Sequence, residues 1–228
     1  MKKSLPTERT KTFRKMSFSE KVQQIWEYYR LAVFGILAGI VLIIYIIYKI
    51  MNPDPEEILN VVMVNASAEE DSSGYEIFSA YLAQNGYNQE EQTITLNTTL
   101  NLTGGASSQM DIASQQALIT WASAGQIDVL AGNESAMDLF GAGDGLVEMD
   151  EILSTEQMEQ YKDLLYTAEN TETGEQYVCA MKLPEGNLLE QAGYYEGDVW
   201  LAIPVSSEHP EVAKDVFLYL LNEENSVE

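Results

Sequence analysis

The residues of this 228-residue chain whose types could do chemistry are few, and the most suggestive stand where two apolar runs break off. Asn65-Ala66-Ser67 follows ILNVVMV, and Gly132-Asn133-Glu134 follows IDVLA. Amides and hydroxyls at such places have two uses. A side-chain oxygen can accept from a free N–H in the first turn of the next helix, which caps it. Alternatively, the crevice of an open α/β sheet lies beyond the carboxyl ends of its strands, where Asn and Ser donors and free helix N–H groups suit a polar or anionic ligand. Asn65, Ser67, Gly132, Asn133 and Glu134 are therefore the candidate ligand-binding residues, with capping as the competing use of Asn133 and Ser135.

Other chemistry lacks its parts. One histidine (His209, in a Glu-His-Pro turn) and one cysteine (Cys179, in YVCAM) make no cluster for a transition metal. Without a second histidine or a Ser/Lys pair at helical spacing, nucleophilic catalysis has no base for its nucleophile. Gly104-Gly105 and the GAGDG stretch at 141–145 lack the Gly-Lys-Ser/Thr and Gly-x-Gly-x-x-Gly patterns of phosphate loops and read as turns. The acid pairs Glu69-Glu70 and Glu90-Glu91 read as solvated surface, with loose calcium binding left open. No catalytic residue, metal or cofactor is assigned, and the chain reads as non-enzymatic.

The elements that must position the candidate residues alternate. ILNVVMVN (58–65) reads as a strand buried on both faces, and QTITLNTTLNL (92–102) as a strand of period two. Between them Tyr75, Phe78, Tyr81 and Leu82 form a helix face closed by Asn85-Gly86. A helix over 107–124 precedes the strand 127–132, followed by a short helix (134–140) and a helix over 155–167. Strands over 175–183 and 197–205 and a closing helix from Glu208 to Leu221 complete the pattern. Strand-helix alternation of this kind predicts a mixed sheet covered on both faces, a three-layer α/β domain.

Charge divides the chain. Residues 1–52 hold nine of the twelve Lys/Arg against three Glu, near +6, whereas 53–228 hold three Lys against 33 acids, near −30. The change falls across LAVFGILAGIVLIIYIIY (31–48), which is uncharged and as a helix reaches about 27 Å, close to the thickness of a bilayer's hydrocarbon core. Arg30 and Lys49 bracket it, and Trp26, Tyr28, Tyr29, Tyr45 and Tyr48 supply interfacial rings. Residues 31–50 are read as a transmembrane helix, with the lipid bilayer as partner. The excess of basic residues before the span predicts a cytoplasmic N-terminus and an extracytoplasmic C-terminal part. Residues 1–16 then form a disordered basic tail, 17–30 a juxtamembrane amphipathic helix opened by a Ser17-x-x-Glu20 capping box, 51–57 a linker and 58–228 the acidic domain. A body near −30 is repelled by nucleic acid, which is excluded as a partner.

AGQIDVLAGNE (124–134), LVEMDEIL (146–153) and AIPVSSEHPEVAKDVFLYLL (202–221) together resemble, in order, segments of the extracellular solute-binding proteins of ABC importers, which have the type II periplasmic-binding fold. The resemblance implies one lobe of that fold, or a much reduced pair, on a stalk, because only about 46 residues separate Asp150 from Gly197, too few for a second lobe with its own core. It implies a non-enzymatic binding or interaction module facing other membrane proteins or a small polar ligand. The alternative is a receptor that delivers such a ligand to an importer.

Overall fold

The computed structural model describes residues 17–67, 73–102 and 109–221, and the chain divides into two compact units, 1–54 and 55–228. Gly104-Gly105, Glu69-Glu70 and the tail 1–16 lie outside the described residues. In the first unit the amphipathic and apolar segments are one uninterrupted helix, α1 (Phe18–Met51). Its stretch Arg30–Met51 has a mean hydropathy of 2.8 and no buried residue, long and apolar enough to cross a membrane. Lys49 closes the helix and pairs with Asp54 at 2.5 Å.

The second unit is built on a six-stranded mixed sheet. Its strands are β1 (Glu56–Met63), β2 (Gln92–Asn97), β3 (Val129–Gly132), β4 (Leu165–Glu169), β5 (Gln176–Lys182) and β6 (Trp200–Ala202), in the spatial order β2-β1-β3-β6-β5-β4. β1 pairs in parallel with β2 and β3, with Val61 opposite Val129 and Met63 opposite Ala131. β6 runs antiparallel to both β3 and β5, and β4 antiparallel to β5. Four strands therefore point one way and two the other.

The apolar run of β1 is buried on both sides, as a central strand requires. Leu59, Val61 and Met63 face one layer of helices: α2 (Ser73–Gln84), α5 (Met149–Ile152), α7 (Leu188–Gln191) and α8 (Pro210–Leu221). Val62 and Val64 face the other: α3 (Gln109–Ser123) and α4 (Glu134–Gly141). α8 buries Ala213, Val216, Phe217 and Leu220 at helical spacing, and Phe217 alone contributes about 2–3 kcal/mol by leaving water. The expected three-layer α/β arrangement is the one observed. Residues 150–197 add β4, β5 and short helices to the same sheet.

Three elements differ from the sequence reading. The helix expected over 155–167 is α6 (Thr155–Gln160) plus a 3-10 turn at 162–164, and Leu165–Glu169 is β4. The turn after it decides this: the Asn170 carboxamide oxygen accepts from Glu172 and Thr173 N–H, and Gly174 has φ +73°, so β4 folds back on β5 as a hairpin. The strand expected over 92–102 stops at Asn97, and Thr98–Leu102 leaves the ladder. The strand expected over 197–205 pairs only through 200–202, with one further bridge between Pro204 and Leu146.

Candidate functional site

The five candidate residues lie at one edge, where β1 and β3 end side by side. Gly132 stands there because the chain is crowded: a β-carbon on it would lie 3.1 Å from Ala136 Cβ and 3.2 Å from Val64 Cβ. Asn133 caps α4, its side-chain oxygen accepting from Ala136 N–H at 3.3 Å. Capping, the competing use, is therefore realised at Asn133. Its NH2 group donates to the Leu102 carbonyl at 3.2 Å.

Asn65 reaches the same peptide from the other strand. It adopts a left-handed conformation, φ +61°, which asparagine tolerates better than residues other than glycine. From there its NH2 group donates to Leu102 O and its carboxamide oxygen accepts from Leu102 N–H, both at 2.7 Å. Its backbone N–H donates to Leu100 O at 2.9 Å. The segment that leaves the ladder after β2 thus lies across the carboxyl ends of β1 and β3, with Leu100 and Leu102 buried.

A second segment closes the edge beside it. Ser67 N–H donates to Tyr194 O at 2.7 Å, and the buried Tyr195 hydroxyl donates to Val64 O at 3.0 Å. Burial pushes the Tyr195 phenol well above its ordinary pKa, so it stays protonated as the donor. Asn65 and Asn133 thus meet on one carbonyl of their own chain, and Gly132 makes room for that junction. Ser67 and Glu134 remain exposed beside it. Leu102, Tyr194 and Tyr195 escaped the sequence reading because nothing local marks segments that dock from 37 residues away, as Leu102 does on Asn65, or 131, as Tyr195 does on Val64.

The opposite edge carries a polar knot on Asp128, which is 2% exposed. One carboxylate oxygen accepts from Ser207 Oγ at 2.6 Å and His209 N–H at 3.2 Å. The other accepts from Asn60 N–H at 2.8 Å and lies 3.2 Å from His209 Nδ1. Serine, histidine and aspartate are all present, but the contacts run in the wrong order for nucleophilic catalysis. The hydroxyl donates to the carboxylate, not to the imidazole that would have to take its proton. The knot instead ties the start of α8 to β1 and β3.

Elsewhere on the second unit an open groove of about 730 Å³ is lined by Asp144, Glu148, Glu151 and Glu175 together with Leu146, Tyr177 and Val205. Tyr177 donates its hydroxyl to Gly141 O at 3.0 Å, and burial pushes its pKa well up. Among the described residues, no group of three or more His, Cys, Asp or Glu side chains is arranged to hold a metal ion. Cys179 is buried between the two strands of the β4–β5 hairpin and α4, and burial pushes its thiol up to about 11.

No protein-family model and no curated protein sequence matches the chain. Among solved structures, the substrate binding domain of a molybdenum ABC transporter from Clostridium difficile is similar to it over 74% of this chain and 93% of that one. The identity is 12% and the TM-score 0.37.

Proposed function

We propose that the chain is a membrane-anchored, extracytoplasmic, non-enzymatic interaction module: a single acidic α/β lobe held at the cell surface by α1, with other membrane proteins as its partners. The observation that carries this reading is the closed carboxyl edge. The two amides best placed to hold a ligand, Asn65 and Asn133, are both engaged on the Leu102 peptide. A solute receptor clamps its ligand so that most of the ligand's surface is buried, and among the described residues a single sheet with a filled edge offers no opposing jaw. The apolar stretch Arg30–Met51 supports the anchor, and the basic flank before it supports the sidedness.

The purified full-length protein in detergent, tested by thermal shift against sugars, amino acids, short peptides and calcium, should show no stabilisation. A ligand at 100 times its dissociation constant would add about 2.7 kcal/mol. Protease added to intact cells should digest the acidic domain, and its survival there with digestion only after lysis would refute the sidedness. The second reading is a receptor delivering a small polar ligand to an ABC importer through Asn65, Ser67, Gly132, Asn133 and Glu134. The exposure of Ser67 and Glu134 beside the closed junction favours it. That reading requires the Leu102 segment to move aside, and stabilisation by one polar solute that Asn133→Ala abolishes would establish it.

A further inference from the structure

The acidic charge of the outer unit is not spread over its whole surface. From Gln92 to Ile127 the sequence holds a single charged residue, Asp111, and that side chain is 2% exposed. This stretch contains β2, an edge strand of the sheet, and α3. The chain that continues β2 packs on α3, with Asn101 N–H donating to Ser114 Oγ at 3.2 Å. Leu100, Leu102 and Leu118 share one apolar cluster beneath them. β2 and the outer face of α3 therefore contribute no exposed charge of their own; acids beside them include Glu57 of β1, which accepts from Thr95 Oγ1, and Glu208, next to Gly125.

α3 also exposes apolar side chains that its core packing does not use. Leu118 and Ala122 are buried against the sheet, while Ile112, Gln116, Ile119 and Ser123 stand exposed at steps of four, three and four, one stripe along the outer face. Ile112 is 46% exposed and Ile119 51%, and Met110, at 65%, lies beside the stripe. Gln109, Ala113 and Thr120 border it without charge. A surface helix normally presents charged and polar residues outward, so this face has the pattern of a helix that meets another element.

We propose that the α3 face is where two copies of this chain pair, the stripe of one helix lying against the same stripe of its partner around a two-fold axis. Charge selects the occupant. Two bodies near −30 repel one another wherever their acidic surfaces meet, and the uncharged stripe of α3 is a surface on which they can approach. A basic partner would gain more from the acidic faces and would leave this one uncovered. A two-fold contact needs a patch that matches itself, which an uncharged Ile-Gln-Ile-Ser stripe does. The anchor helix α1 also carries Gly35-x-x-x-Gly39, the spacing at which two membrane helices approach closely. The pairing specifies a partner for the proposed interaction module and rests on that reading only for the two domains facing the same side of one membrane.

The test uses the full chain in its native membrane, with Cys179→Ala to remove the internal thiol and Gln116→Cys to place a new one mid-stripe. Mild oxidation should give a covalent dimer of the chain. The same cysteine at Glu159, exposed on α6, should give at least ten-fold less. Adding Ile119→Glu should reduce the Gln116→Cys dimer at least ten-fold. Since Ile119 is half exposed, the ectodomain's circular dichroism and urea midpoint should not change. The dimer yield should also rise with salt, which screens the repulsion between acidic bodies. A Gln116→Cys chain that stays monomeric, or that crosslinks only to a different protein, would overturn the pairing. If the acidic domain is still cut by external protease in that same membrane, the pairing alone has failed and the anchored-module reading stands.

Discussion

Asn65→Ala is the substitution that most directly probes the closed edge. It removes the acceptor from the Leu102 N–H, and Leu102 is only 3% exposed, so the orphaned donor costs about 1–3 kcal/mol. It also places a β-carbon residue without asparagine's local polar compensation at φ +61°, which costs about 1 kcal/mol more. The Leu102 carbonyl keeps its bond from Asn133 and adds little to the loss. The expected total is about 3 kcal/mol, against about 2 kcal/mol for Asn65→Gly, which loses the amide but not the backbone freedom. With a urea slope of about 2 kcal/mol per molar, the midpoint should fall by about 1.5 M for alanine and about 1 M for glycine. Tryptophan fluorescence from Trp121 and Trp200 reports the unfolding, and hydrogen exchange at the Leu102 amide reports the local contact. If Asn65→Ala lies within about 0.5 kcal/mol of the parent chain and the Leu102 amide stays protected, the amide does not hold this segment. The case for a filled carboxyl edge would then fall with it.

The remaining predictions concern the other buried contacts. Asp128→Ala should cost about 3 kcal/mol in the same urea experiment, because it strands the Asn60 N–H and the Ser207 hydroxyl and leaves the His209 N–H only its bond to Ser207 Oγ, whereas Asp128→Asn, which keeps one accepting oxygen, should cost clearly less. Gly141→Ala should cost about 1–3 kcal/mol, since the new β-carbon would sit 2.4 Å from Ala168 Cβ and force the β4–β5 hairpin away from α4. Cys179 should resist a thiol reagent at pH 8 until the domain unfolds. Its thiol is raised from 9.0 to about 11 by burial, so the unfolded state releases the proton first. The corresponding stability is complete below pH 9 and declines as pH rises toward 11, and the difference between the parent chain and Cys179→Ala over that window isolates it.

Much of this architecture was legible because periodicity and burial are local properties. ILNVVMVN had to be a central strand, since a run of branched apolar residues without a polar face is stable only when covered on both sides. The 3.6-residue spacing in α8 and the uncharged length of 31–48 read as directly. β4 was missed because LLYTAE continues a helical pattern from Met158 unless the Asn170-to-Gly174 turn is given its weight. The candidate residues could be placed at the ends of two strands because strand ends are also local.

Which contacts those residues make is visible only in the tertiary structure. An asparagine at a strand end is equally ready for a ligand, a helix or a distant peptide, and its sequence neighbours do not distinguish these. Asn65 and Asn133 are 68 residues apart, yet both bind the Leu102 carbonyl because the parallel pairing of β1 with β3 sets their ends side by side. Asp128 likewise becomes a hub only when the chain returns at Ser207 and His209, about 80 residues later. The sequence by itself determined the long apolar helix, the charge division and most of the strand-helix order, since each follows from the residues in one stretch. Which polar groups are spent and which remain exposed depends on contacts between stretches, and only the folded chain decides that.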